Sequence, residues 1–118
     1  MKLNIDCVRD LLLNLSQTET SSTCEDLLLV SAIQKYHNSE CLYHLQKMHQ
    51  AHIVTLSQPF DSKAVIALTN QGIALAEAVR NRALFDEFKN EIEKKYPIYT
   101  VEIFAYGLYA YRSTRYGF

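Results

Sequence analysis

Between Ala51 and Leu68 the spacing of apolar residues shortens from three or four to an extended pattern, and this change constrains the fold more than any other feature. Ile53-Val54-Thr55-Leu56 and Ala64-Val65-Ile66-Ala67-Leu68 are short runs rich in β-branched residues, whose stiff side chains suit a pleated surface. The stretch between them contains Pro59, Asp61 and Ser62. Proline presets a turn dihedral, and Asp and Ser bond their own backbone, so the pattern predicts a β-hairpin.

Helical spacing flanks the hairpin. Asn4 can accept the free N–H groups of an opening turn, and Ile5, Val8, Leu12 and Leu15, widened by Leu11, form one stripe behind it. The polar run Ser16–Thr23 ends that helix. Leu27–Ile33 fits either a helix capped by Ser22 or Thr23 or a buried strand, because length does not decide between them. Asn38 or Ser39 opens a helix to about Gln50, with Cys41, Leu42, Leu45 and Met48 as its core stripe and His49 at the margin. After the hairpin, Thr69 caps a helix through Gln71, Ile73, Ala76 and Val79, and a second stretch carries Leu84, Phe85, Phe88 and Ile92. Tyr96-Pro97 breaks it, and Thr100 caps a last helix with Val101, Phe104, Leu108 and Tyr111.

Helix, helix, hairpin is the order of a winged helix. The expected class is therefore α+β, mainly helical. A winged-helix-like domain over residues 1–68 would be followed by C-terminal helices over 69–118. These pack on it or mediate self-association as a homodimer.

At 118 residues, 48% of them hydrophobic, the chain can bury one core. It has no apolar run near the roughly 20 residues that span a bilayer, and Met1–Asp6 lacks the apolar segment of a signal peptide, so a cytoplasmic location without membrane contact is expected. Cys7, Cys24 and Cys41, an odd set without a CxxC pair, read as reduced thiols. Residues 1–70 carry five bases against seven acids, and residues 71–118 seven against six. Neither half has the basic excess common on nucleic-acid-binding surfaces.

Met1-Lys2-Leu3-Asn4-Ile5-Asp6-Cys7-Val8-Arg9-Asp10 resembles the start of a phage- and prophage-associated family known by a domain-of-unknown-function label, 2513. Ser39–Leu45 followed by Ala51–Val54, Leu68–Gly72, and Val79–Lys89 resemble later segments of that family in the same order. His52 stands where the family usually has glycine, Ile73 where histidine often follows the glycine, and Phe85 near its usual tryptophan. The resemblance implies a winged-helix-like fold and a phage setting, and it implies no activity.

In a winged helix the helix before the hairpin enters the major groove. Opposite Leu42 and Leu45 this helix would present Glu40, Tyr43, His44, Lys47 and Gln50, with Ser39 at its start and Lys63 on the hairpin. Ser39, Tyr43, His44, Lys47, Gln50 and Lys63 are thus the expected DNA contacts. His37, His44, His49 and His52, with Cys41 close by, could suggest zinc, but His44 and His49 lie on different helix faces, so no metal or other cofactor is expected. No Gly-rich phosphate loop, nucleophile elbow or HExxH motif occurs, so no catalytic residues are assigned. Aromatic residues crowd the C-terminal end; Tyr106, Tyr109, Arg112, Arg115 and Tyr116 are the expected partner-binding residues, of types enriched at interface hot spots. The expectation is a non-catalytic DNA-binding regulator of phage type. The alternative is a protein-binding inhibitor of a host defence or nucleic-acid enzyme, of anti-CRISPR or anti-restriction type.

Overall fold

A computed structural model of the chain describes residues 3–17, 22–57, 63–96 and 99–116; of residue 22 and residues 112–116 only the backbone is described. Asn4 is extended, and its side-chain oxygen accepts the N–H groups of Asp6 (3.0 Å) and Cys7 (3.4 Å), which starts α1 (Ile5–Ser16). β1 (Ser22–Thr23) follows, and the Thr23 hydroxyl accepts Asp26 N–H to cap the short α2 (Cys24–Leu28). The segment left open between helix and strand thus begins as a helix, and 3₁₀-like turns bonded from Leu27 to Val30 and from Val30 to Ile33 carry the chain onward.

α3 (Asn38–Gln50) opens at Asn38 and runs to Gln50 as expected, and the residue before it, His37, makes no side-chain cap. The predicted hairpin is β2 (Val54–Leu56) and β3 (Val65–Leu68), antiparallel with Thr55 opposite Ala67. Its turn, 58–62, lies outside the described residues. β1 pairs with the other edge of β3, giving the order β1-β3-β2. α4 (Asn70–Arg80), α5 (Arg82–Lys95) and α6 (Val101–Tyr116) complete the chain. The fold is α+β and mainly helical.

One apolar cluster runs through the molecule, and α1 lies at its middle, packed on α3 and α4. Ile5, Val8, Leu11, Leu12 and Leu15 are all buried there. Arg9 donates to the Val79 carbonyl (2.9 Å) at the C-terminal end of α4 and lies 5.4 Å over the Phe85 ring. A cation there meets the negative end of the helix dipole. Lys89 of α5 reaches Asp6 in the first turn of α1 (2.7 Å), so residues 69–118 pack on the front of the chain at several points.

The base of the hairpin is pinned by Thr69. Its N–H donates to the Ile53 carbonyl (3.0 Å), its hydroxyl donates to the His52 carbonyl (2.6 Å), and the same oxygen accepts Gly72 N–H (3.1 Å) to cap α4. His52 sits at φ 62, in the left-handed region that glycine adopts without strain.

Cys7 and Cys41 are buried on facing helices, and burial pushes both thiols up. Burial and the hydrogen bond to Asp10 (2.7 Å) raise the Tyr36 phenol, and burial followed by the charge of Glu93 pushes Tyr99 up to about 12. Each group keeps its proton longer in the folded state. The stability this represents is complete below the ordinary thiol and phenol values, roughly 8.5 and 10, and is lost as pH rises through the folded values. The urea midpoint is therefore expected to fall steadily above about pH 8.5, and Tyr36→Phe should flatten part of that slope. A midpoint flat to about pH 11 would refute this assignment.

Candidate nucleic-acid interface and the C-terminal surface

Cys41, Leu45 and Met48 stand at i, i+4 and i+7 on α3, and this stripe turns the whole helix. Position i+3 lies on the same side, so His44 goes inward with them. It is 0% exposed: its Nε2 accepts the Asn4 backbone N–H (2.8 Å), and its Nδ1–H donates to the Glu40 carbonyl (2.7 Å). The donor at Asn4 requires a lone pair on Nε2, so the ring is neutral with its proton on Nδ1. His44 therefore cannot contact DNA, contrary to its expected place on the presented face. Leu42, expected in the core, is half-buried at the margin.

The true outer face of α3 carries Ser39, Tyr43, Gln46 and Gln50, with Lys47 on one flank. It is rotated by roughly a fifth of a turn from the expected face. Gln46 was missed, although its position opposite the Cys41–Met48 stripe marks it. Ser39 and Gln50 are exposed, while Tyr43, Gln46 and Lys47 are half-buried. The Lys47 ammonium lies 5.6 Å from the Tyr43 ring centre, which aligns its aliphatic stem along the helix. Lys63 is exposed just before β3.

The C-terminal residues divide differently. Tyr106 is 77% exposed, the most open large apolar side chain among the described residues. Tyr109 is half-buried, and its hydroxyl donates to the Gln71 carbonyl (2.7 Å), so part of it serves to dock α6 on α4. The side chains of Arg112, Arg115 and Tyr116 lie outside the described residues. A cleft of about 510 Å³ between the end of α3, the start of α4 and α6 brings Gln50 together with Tyr106 and Tyr109. The outer face of α3 and the aromatic surface thus adjoin at Gln50, a juxtaposition that sequence spacing could not reveal.

Among the described residues no three His, Cys, Asp or Glu side chains are grouped to hold a metal ion. His44 has both ring nitrogens engaged, and His49 Nδ1 lies 3.3 Å from the Val54 carbonyl. No helix of the described residues is long and apolar enough to cross a membrane.

Comparison with known proteins matches residues 2–96 to the family described as Hypothetical protein (DUF2513), a span that takes in α1 to α5 and ends before α6. No curated protein and no solved structure matches the chain.

Proposed function

The chain belongs to the DUF2513 family, and on the geometry of α3 we propose that it is a non-catalytic, phage-type winged-helix protein that works in the cytoplasm as a DNA-binding regulator. The observation that carries this reading is the polar outer face of α3. Ser39, Tyr43, Gln46 and Gln50 project from a helix whose opposite side is buried and tied to α1 through His44, and the β2-β3 hairpin follows at once. The order α1-β1-α2-α3-β2-β3 with the sheet β1-β3-β2 supports the winged-helix assignment. Glutamine side chains can pair with the N6 and N7 edge of adenine in the major groove, and Lys47 and Lys63 can meet phosphates.

The test is selection from a pool of random DNA duplexes at about 50 mM salt, followed by titration of the winning sequence. Selection is expected to converge on a site containing adenines. Gln46→Ala should weaken binding to that site about 10-fold or more and relax the preference at one position. Lys47→Ala should weaken binding to all sequences and reduce the salt slope by about one. A pool that never converges would refute DNA recognition by this helix.

The charge distribution favours a second reading. Five bases against seven acids in residues 1–70 suit a protein inhibitor that occupies the basic channel of a host defence or nucleic-acid enzyme. Under that reading the duplex pool does not converge, and the chain instead competes with nucleic acid for such an enzyme.

A further inference from the structure

Three large apolar side chains left open to water gather on one face. Tyr96 at the end of α5 and Ile103 and Tyr106 on α6 are 46%, 40% and 77% exposed. The other exposed large apolar side chains of the described residues, Leu29, Val65 and Ile73, are scattered over other elements. Beside the three lies a groove of about 610 Å³ between α5 and α6, floored by Phe88, Ile92 and Gly107. Gly107 permits it. A Cβ at that position would lie 2.8 Å from the Phe88 ring, so a larger residue would lift α6 away from α5.

We propose that a second copy of this chain covers this face, α6 against α6 about a two-fold axis. An isologous contact requires a surface that complements itself, and here a protruding side chain and a groove stand next to each other on the same helices. Rotation about an axis between them places Tyr106 of each copy in the groove of the other. The groove rim carries Glu91 and Glu102 beside Lys95, so two such rims offer opposite charges to one another rather than a single sign.

The size also fits. The described surface is 6876 Å², and a stable pair covers roughly 800 Å² on each partner, about a tenth of a small protein's surface. α5 and α6 have 14 and 16 residues. They are therefore roughly 21 and 24 Å long and about 10 Å across, which gives a footprint on the order of 400 Å² before side-chain relief is counted. At about half the area of a stable pair, the contact is a weak, reversible one, in keeping with exchange between monomer and dimer at micromolar concentration. This inference goes beyond the DNA reading and does not depend on what α3 binds.

Sedimentation velocity of the full chain, without DNA, from about 1 to about 200 µM tests it. The expected result is a monomer–dimer equilibrium within that range. Tyr106→Glu and Ile103→Lys should each sediment as monomers with unchanged helical circular dichroism, and Leu29→Glu, remote from the groove, should dimerise like the parent. A parent chain that stays monomeric to the highest concentration overturns the proposal. So does a dimer that survives both α6 substitutions. A monomer that still selects a DNA site would sink the pairing and leave the α3 reading standing.

Discussion

Replacing His44 with alanine is expected to destabilise the fold by about 3 kcal/mol, through an unpaired backbone group and a cavity together. The imidazole is fully buried and joins two helices by accepting the Asn4 N–H at the start of α1 and donating to the Glu40 carbonyl one turn back on α3. Asn4 is itself the cap of α1, so the loss reaches the positioning of that whole helix. Removal of one partner leaves a donor short of water, which costs more than the bond contributed when made. The urea midpoint measures the loss. His44→Gln, which keeps an acceptor, should recover part of it. A change below about 1 kcal/mol for the alanine variant would show that His44 is not the tie between α1 and α3.

Gly72→Ala is expected to lower stability by about 3 kcal/mol, although alanine inside a helix ordinarily improves on glycine by about 1 kcal/mol. The reversal of sign is what makes it informative. Gly72 lies in the first turn of α4, where the helix passes the chain leaving α3, and a Cβ there would collide with the Ile53 carbonyl oxygen. That oxygen is the acceptor for Thr69 N–H (3.0 Å), so it cannot retreat without opening the base of the hairpin. Ala74→Gly, at an exposed position of the same helix, should cost only about 1 kcal/mol. Equal behaviour of the two variants in urea would mean that α4 does not approach Ile53 as closely as described.

The helices whose apolar stripes repeat regularly were legible from spacing, as were the caps at Asn4, Thr69 and Thr100, where a short polar side chain precedes a stripe. The hairpin was legible because β-branched runs flank turn residues. β1 was not. Ser22 and Thr23 form a strand of two residues within a polar stretch, and the pairing exists only because β3 offers a free edge there. Asn81, which ends α4 and caps α5 through Leu84 N–H (3.1 Å), was also missed, because no turn composition separates the two helices.

Local residue chemistry determined the kind and order of the longer elements, α1, α3, the hairpin and α4 to α6, because spacing and capping act within a few residues of chain. Tertiary structure decided which way each element faces. Cys41, Leu45 and Met48 do not by themselves say whether a histidine beside them is wet or dry; the answer is the Asn4 N–H, 40 residues away, which gives the ring a partner inside the core. The same holds for Tyr109 and Tyr106, three residues apart on one helix, of which only the first meets an acceptor on α4. Burial of a polar group depends on a partner brought in from elsewhere in the chain, and that information is not local.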